Sequence, residues 1–314
     1  MENSTFTTAR QILTEVMNYR RTVSSHDECG GVKCHACSSA HLPRILSAVK
    51  DGHPIKFVLP AFPGKSPNPN KVLGVLPDHA ERLSLIFIGE LCQKIRSIYS
   101  PGIKFILCSD GRVFSDVVGI KESDISAYQI ELKKLIQELG LSDISTFDLD
   151  EFYTEKDFTL MRADLMKHYG RSLQELKEKV SIEDETKNLY LGITRFLFED
   201  SLIPGETKSR AQLQKDARLR AYEVIRRSNA WSELIAEKFP DAVRLSIHPH
   251  ACGSQKLGIQ LVGQESWMTP WHGVAIETAT GFRLLKRSAA EELGATLVFT
   301  ECGRPSHFQF HGAL

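Results

Sequence analysis

Four short apolar runs, each followed directly by a polar loop, constrain the fold of this 314-residue chain more than any other feature. The runs have the length of buried strands, and segments with helical periodicity separate them. Strands that alternate with helices predict an α/β fold, Rossmann-like, with a mostly parallel sheet flanked by helices. The four predicted strands are residues 55–59, 103–108, 144–147 and 243–247.

A long charged stretch, from about residue 155 to 240, interrupts this alternation because it has helical periodicity and few strand signals. We interpret it as a helical insertion whose last helix covers residues 208–239. The predicted organisation is an N-terminal helix and cysteine-rich loop over residues 1–41, then a single α/β catalytic domain over residues 42–314. Later strands are predicted at residues 273–277, 282–285 and 296–300.

The composition of the chain argues against nucleic-acid and membrane partners. The chain has 39 basic and 39 acidic residues, whereas nucleic-acid-binding proteins usually show a basic excess. It contains no apolar run long enough to span a bilayer, and its polar N-terminus lacks a signal-peptide core. The seven cysteines form an odd set, which favours a reducing compartment over a disulfide framework. We therefore expect a cytoplasmic protein without a nucleic-acid or membrane partner.

The loop after the first predicted strand, residues 61–71, is rich in proline and polar groups. Ligands of doubly wound sheets bind outside the carboxyl ends of the strands. Lys65, Ser66 and Lys71 offer hydrogen-bond donors suited to a phosphate or carboxylate. The Gly-Lys-Ser triplet is not a P-loop, because the upstream glycine is missing and Pro67 stands where a helix should begin. A plain surface turn is the alternative.

The loop after the second predicted strand, residues 109–116, carries a further cation and two carboxylates. Arg112 can hold an oxyanion with its bidentate fork, while Asp110 and Asp116 can orient it or transfer protons. The alternative is a turn with a surface ion pair.

Three histidines follow later predicted strands. His248 and His250 flank a proline at the end of the fourth strand, and we favour acid/base chemistry for them. Metal binding with the nearby Cys252 would give an awkward tetrahedron. His272 is a third titratable group, and Trp271 beside it offers a flat apolar face; a core tryptophan and a capping histidine are the alternative.

The cysteine-rich loop contains a Cys-x-x-Cys spacing with a further cysteine and a histidine close by. Such a set can bind structural zinc, but four ligands from one short loop are unusual. Reduced cysteines are the preferred interpretation, so no metal is expected. The weak zinc candidates are Cys29, Cys34, Cys37 and His41.

Four motifs occur together in one order along the chain: FVLPAFPGKSPN from Phe57, CSDGRVFSD from Cys108, SIHPH from Ser246 and PWH from Pro270. Together they resemble the isonitrile (isocyanide) synthases, the pyoverdine/dityrosine biosynthesis family. The similarity runs over about residues 37–307, which is most of the chain.

The resemblance implies a lyase of secondary-metabolite biosynthesis. Bacterial members join the α-amine of L-tyrosine or L-tryptophan to the ketone of ribulose 5-phosphate, and the sugar then fragments to leave one carbon as the isonitrile. The resemblance implies no cofactor, small-molecule substrates, and a product that passes to a downstream tailoring enzyme.

This chemistry suggests roles for the candidate residues. A sugar phosphate needs a cationic cradle, and proton transfer needs bases with groups that orient them. The predicted phosphate and substrate ligands are Lys65, Ser66, Lys71 and Arg112. The predicted acids and bases are His248, His250 and His272, with Asp110 or Asp116 as orienting groups. Arg304 is assigned to the amino-acid carboxylate, and Trp271, Phe62 and Phe114 to the aromatic pocket.

Two other functions remain open at this point. A different sugar-phosphate enzyme, such as an aldolase-type lyase, would share the cationic loop without needing an aromatic amino acid. A zinc-binding regulatory protein would depend on residues 29–41 instead.

Overall fold

A parallel sheet forms the centre of the molecule. The computed structural model describes residues 2–21, 29, 33–153, 157–263 and 268–312. Within them, five strands hydrogen-bond in the order β3-β2-β1-β4-β5, and every neighbouring pair is parallel. The predicted α/β class with a mostly parallel sheet is confirmed. The strands are β1 (Ile55–Pro60), β2 (Ile103–Cys108), β3 (Ile144–Phe147), β4 (Val243–Ser246) and β5 (Leu257–Gly258).

Helices cover both faces of this sheet and fill the segment between β3 and β4. The first five are α1 (Glu2–Met17), α2 (His35–Asp51), α3 (His79–Ile98), α4 (Gly111–Val118) and α5 (Glu122–Glu138). The next five are α6 (Leu149–Phe152), α7 (Phe158–Tyr169), α8 (Leu173–Ile182), α9 (Asp184–Asp200) and α10 (Arg210–Lys238). The segment predicted as a helical insertion thus contains only helices in its described part.

The main core lies on one face of the sheet. Phe57 of β1 and Phe105 of β2 are fully buried and stack at 6.3 Å between ring centroids. Ile12 and Leu13 of α1 belong to the same apolar cluster. The N-terminal helix therefore packs as part of the main core, because its apolar face has no other surface to cover it.

A second, mixed sheet follows the first in the chain. Four described strands pair in the order β7-β6-β9-β8, where β6 (Val274–Thr278) and β7 (Gly281–Leu285) form an antiparallel hairpin. The others are β8 (Thr296–Phe299) and β9 (Pro305–Gln309), with α11 (Arg287–Glu292) between β7 and β8. The sequence indicated the first three strands but not β9, whose polar composition resembles a tail. None of the described helices combines the length and apolar character needed to cross a bilayer.

The strand order places β1 between β2 and β4, so the loop after β1 lies at the switch point of the sheet. Phe62 in this loop has a φ of 58°, a conformation that costs a non-glycine residue energy and that often occurs at functional sites. The loop packs directly on the start of α4, where Ser109 donates a hydrogen bond to the carbonyl of Phe62 at 2.9 Å. The first two strand-end loops therefore form one unit.

Gly111 permits this close packing, and its substitution tests the contact. A methyl group at this position would lie 1.9 Å from the carbonyl oxygen of Pro63, so Gly111→Ala must displace backbone. We expect it to lower the free energy of unfolding by about 2 kcal/mol, measured by urea denaturation. Gly192→Ala, in α9 with no atom within 4 Å of the new methyl, is the control and should be neutral or stabilising. Equal stability of the two variants would contradict the close contact.

Candidate active site

Lys65 lies fully buried at the centre of the loop after β1. Its ammonium donates to the Pro270 carbonyl at 3.0 Å and pairs with Asp78 at 2.9 Å and Glu81 at 2.7 Å. Burial alone lowers the pKa of Lys65, but the two carboxylates outweigh burial and the pKa is raised. Protein atoms thus occupy all three donors of this charged group, so the predicted contact between Lys65 and a phosphate is not supported by the geometry.

The two carboxylates that hold Lys65 come from the start of α3. Asp78 caps this helix by accepting from the backbone N–H of Ala80, and Glu81 accepts from the N–H of Asp78. This Asp-x-x-Glu pattern is a capping box, a signal that the sequence carries. The contact of both carboxylates with Lys65 carries no local sequence signal, because it depends on the tertiary fold.

Ser66 and Lys71 share a second carboxylate, Asp200 at the end of α9. The Ser66 hydroxyl donates to Asp200 at 2.9 Å, and the Lys71 ammonium lies 2.6 Å from the same oxygen. Glu199 lies 3.6 Å from Lys71 as well. Both predicted phosphate ligands therefore contact protein carboxylates in this structure, and they join the helical segment to the loop after β1.

Arg112 and Asp116 in α4 are also paired with protein groups. Arg112 is buried between Glu122 at 3.2 Å and Asp150 at 3.3 Å. Asp116 is exposed and lies 2.6 Å from Arg227, and the resulting hydrogen bonds and charge lower its pKa although partial burial opposes them. These contacts match a structural role, so the predicted oxyanion site at Arg112 is not supported.

The three predicted pocket aromatics lie mainly in the interior. Phe62 and Trp271 are buried and contact each other with ring centroids 5.4 Å apart. Phe114 is partly buried and packs between the helices. Arg304 lies beside Glu131 at 3.6 Å and donates to the Pro77 carbonyl at 3.3 Å. It therefore lies at the edge of the Lys65 cluster, next in space to the residue before Asp78.

His272 is part of a short 3-10 helix, Pro270–His272, that packs against the loop after β1. Its Nδ1 lies 2.9 Å from the Thr269 hydroxyl, and its ring contacts Phe196 at 4.4 Å between centroids. Burial, followed by the charges of Lys71 and Lys65, holds its pKa well below the usual value. The structure thus brings His272 into the predicted neighbourhood as a neutral imidazole.

Asp110 is the second residue after β2 and the N-cap residue of α4, and it differs from the other acidic candidates. Its side chain keeps some exposure, yet its Oδ1 has no hydrogen-bond partner among the described residues. Burial raises its pKa to about 7. A carboxyl group that changes its protonation state near neutral pH and has an unused oxygen is suited to acid/base chemistry.

The loop after β4 carries His248 and His250 beside two further cations. Burial of the ring, then the charges of Arg21 and Lys256, lowers the pKa of His248 to about 4, while the residue as a whole is exposed. His250 has a buried Nε2 without a hydrogen-bond partner in the described part of the chain. Both histidines follow the carboxyl end of β4 in the chain.

Lys256 is the cation that sequence reasoning missed. It directly precedes β5, and burial followed by the charge of Arg244 lowers its pKa to about 8. Among the described residues its ammonium forms no ion pair with a carboxylate within 4 Å, and Glu233 acts on its pKa only through its charge. A lysine ahead of a two-residue strand has no sequence motif that would distinguish it. Its position beside His248 creates a local excess of positive charge.

The cysteine-rich segment also differs from its prediction. The sulfurs of Cys29, Cys34 and Cys37 meet that of Cys252, which follows the His-Pro-His motif, and all four lie within 4.8 Å of one another. His41, the predicted fourth member, is instead buried in α2 with no partner for its Nδ1 among the described residues. Cys252 takes the place predicted for His41 because the loop after β4 folds back onto the start of α2.

Comparison with known proteins identifies the family of this chain. Residues 45–298 match the family described as pyoverdine/dityrosine biosynthesis protein. The chain belongs to this family. It is 42% identical over 301 residues to an L-tryptophan isonitrile synthase of Fischerella ambigua, covering 96% of this chain and 94% of that protein. It is 45% identical over 306 residues to an L-tyrosine isonitrile synthase of Pseudomonas aeruginosa, covering 95% and 93%.

A solved structure of this family shares the fold over nearly its whole length. The crystal structure of the PvcA protein from Pseudomonas aeruginosa superposes with a TM-score of 0.91 at 44% sequence identity, covering 96% of this chain and 99% of that one. The resemblance to isonitrile synthases of the pyoverdine/dityrosine family is therefore confirmed, and with it the α/β fold.

Replacing Lys65 distinguishes a structural ion pair from a phosphate ligand. Lys65→Met leaves Asp78 and Glu81 buried without their counter-ion, so we expect a loss of about 3–5 kcal/mol in the free energy of unfolding. Lys56→Met, at an exposed position of β1, should change it by less than about 0.5 kcal/mol. Urea denaturation without ligands measures both. A Lys65→Met protein as stable as the wild type, but with weaker phosphate binding, would restore the phosphate-ligand assignment.

Proposed function

We propose that this chain is an isonitrile synthase that condenses the α-amine of an aromatic L-amino acid, tryptophan or tyrosine, with the ketone of ribulose 5-phosphate. Fragmentation of the sugar then leaves one carbon as the isonitrile, for natural-product biosynthesis. The product passes to a downstream tailoring enzyme. The odd number of cysteines favours the cytoplasm as the compartment.

The similarity to tryptophan and tyrosine isonitrile synthases over almost the full chain is the observation that carries this proposal. The site adds two independent features. One is a carboxyl group with a near-neutral pKa, Asp110, after β2. The other is a pair of cations, Arg244 in β4 and Lys256 before β5, beside the neutral His248.

The two features lie on either side of the loop after β1. Neighbouring strands are separated by about 4.8 Å, so the ends of β2 and β4, two strands apart, are about 10 Å from each other. This distance separates Asp110 from His248, whereas Lys256, which precedes β5, lies one strand farther away, about 14 Å from β2 across the sheet. The loop between them is the one that Lys65 fixes.

Asp110 supplies the base in this account. An amine attacks a ketone only when it is unprotonated, and formation of the C=N bond releases water. In a following retro-aldol cleavage, a base takes the proton of the hydroxyl on C4, two carbons from the C=N carbon C2, and the C3–C4 bond breaks so that C4 leaves as an aldehyde. The electron pair of the broken bond passes into the C=N group, which acts as the electron sink. His248 and His272, both neutral at pH 7, offer further proton acceptors.

The phosphate of the sugar binds at Lys256, supported by Arg244 and the loop after β4. Lys65, Lys71 and Arg112 have carboxylates within 4 Å, so a phosphate there would face opposing negative charge. Lys256 has no such partner in the described residues, and Arg244 donates to the Ser232 carbonyl and hydroxyl instead. A phosphate dianion bound beside Lys256 and Arg244 reduces the repulsion between their positive charges, and this favours phosphate binding.

The direct experiment supplies the purified protein with L-tryptophan or L-tyrosine and ribulose 5-phosphate labelled with ¹³C at C2. Mass spectrometry and the infrared isonitrile stretch should show a labelled isonitrile of one of the two amino acids. Label that stays in sugar fragments, without any isonitrile, would instead support another sugar-phosphate lyase.

Asp110→Asn should decrease activity and increase stability at the same time. With a pKa of about 7 in the folded state against an ordinary value of 3.8, Asp110 binds its proton more tightly when folded. Its contribution to stability therefore declines as pH rises from about 4 to 7 and is least favourable above 7. At pH 8 we expect Asp110→Asn to raise the free energy of unfolding by at least about 1 kcal/mol, and to lower kcat by about 100-fold or more.

The control for this variant is Asp116→Asn in the same helix. Its pKa is lowered by Arg227, so its ion pair contributes favourably at neutral pH and its loss should cost up to about 1 kcal/mol. Urea denaturation at pH 5 and 8 and steady-state kinetics give both quantities. A low-pH limb near 7 in the wild-type rate profile should vanish in Asp110→Asn. An unchanged profile would remove Asp110 from the reaction.

Lys256→Met should weaken binding of the sugar phosphate selectively. We expect KM for ribulose 5-phosphate to rise about 10-fold or more, because a charge-assisted contact contributes about 1.5–3 kcal/mol, while KM for the amino acid stays within about twofold. Lys256→Arg should recover most of the affinity because it keeps the charge, and Lys71→Met serves as a comparison at a lysine already paired with Asp200. A larger KM effect at Lys71 than at Lys256 would relocate the phosphate.

A further inference from the structure

Four cysteine sulfurs converge where the start of α2 meets the loop after β4. The shortest sulfur–sulfur distances are 2.9 Å between Cys34 and Cys252, 3.5 Å between Cys37 and Cys252, and 3.5 Å between Cys29 and Cys37. No disulfide joins the described cysteines. The cluster brings together residues more than 200 positions apart in sequence, so the fold rather than the local motif creates it.

The spacing of these sulfurs fits a tetrahedral metal site. Zinc–thiolate bonds of about 2.3 Å place the ligand sulfurs about 3.8 Å apart in a regular tetrahedron. All four sulfurs here lie within 4.8 Å of one another, on both sides of that value. Only small rotamer adjustments are needed to close them around one ion, and four thiolates leave no open position for substrate.

Backbone groups also point to the sulfurs of this cluster. The N–H groups of Ala36 and Cys37 donate to the Cys34 sulfur, and that of Gly253 donates to the Cys37 sulfur. Cys34 is also the N-cap residue of α2, where the helix dipole stabilises negative charge. Burial raises the pKa of Cys37, and hydrogen bonds with the neighbouring cysteines raise that of Cys252, so a metal ion would have to displace their protons. The convergence of the four sulfurs is therefore the observation that indicates a metal site.

We infer that Cys29, Cys34, Cys37 and Cys252 bind one structural zinc ion. Thiolates prefer this soft, tetrahedral cation, and a closed set of four protein ligands is typical of structural rather than catalytic zinc. The ion would join the segment before α2 to the loop that carries His248, His250 and Lys256. The ion would hold this loop in place and take no part in the reaction itself.

Contacts with Arg21 and Gly258 already fix the other side of the loop after β4. Arg21 donates to the Ile247 carbonyl, and its backbone N–H donates to the Gly258 carbonyl at 2.9 Å. A methyl group at Gly258 would lie 2.5 Å from the His248 carbonyl, so the chain leaves no room here for a side chain. A metal at Cys252 would add a second attachment to the same loop, nearer to its exposed end.

Metal analysis of the purified protein tests this inference. The protein is purified with a phosphine reductant and without chelators, and zinc is measured by inductively coupled plasma mass spectrometry. We expect roughly one zinc per chain, retained on gel filtration. Cys34→Ser and Cys252→Ser should lose most of it, whereas Cys302→Ser, at an exposed cysteine outside the cluster, should retain it. His41→Ala should also retain zinc, which separates this ligand set from the one predicted by sequence.

Cobalt substitution keeps the test decisive if a cysteine variant fails to fold. Apoprotein of the wild type, prepared with a chelator and shown by circular dichroism to be folded, is titrated with Co²⁺. A thiolate-to-cobalt charge-transfer band with tetrahedral d–d absorption is expected, together with a higher Tm on adding Zn²⁺. The inference is overturned if the folded apoprotein binds neither ion, if Cys252→Ser keeps the full zinc content, or if mass mapping finds disulfides within the cluster in the reduced preparation.

Discussion

The buried contact of Lys65 with Asp78 and Glu81 holds the site together. It links the loop after β1, the start of α3 and, through the Pro270 carbonyl, the segment that leads into the second sheet. Removing one charge from water is costly unless partners satisfy every donor, and here three acceptors match three N–H groups. Two acids share one cation in this cluster, and burial raises the pKa of Glu81. The loop at the switch point is therefore fixed by charge pairing as well as by packing.

The distribution of unpaired charge separates scaffold from chemistry. Lys65, Lys71 and Arg112 are each neutralised by carboxylates from neighbouring helices, and they position the loops. Asp110 has an unused oxygen and a raised pKa, and Lys256 forms no ion pair with a carboxylate within 4 Å in the described part of the chain. Groups that the protein leaves without local compensation are those a charged substrate can engage. This contrast gives each half of the proposed reaction its own place along the edge of the sheet.

The sheet is predicted well from the sequence because buried strands appear in it as short apolar runs. The bounds of β2 and β3 agree with prediction to the residue. The partners of the charged residues are harder to predict, because a lysine in a polar loop gives the same sequence pattern whether it binds a phosphate or a carboxylate. Lys65 and Arg112 pair with carboxylates on the helices that follow their loops, and only the fold brings these groups together. Cys252 joined the other cysteines only through the return of the loop after β4, which no local spacing encodes.

A crystal structure of the protein with ribulose 5-phosphate bound would test the central claim most directly. We expect the phosphate oxygens to lie within hydrogen-bonding distance of Lys256, with the sugar extending towards Asp110. Lys65 should keep its contacts with Asp78, Glu81 and the Pro270 carbonyl unchanged. A phosphate bound to Lys65, with either carboxylate displaced, would contradict the division between scaffold and site.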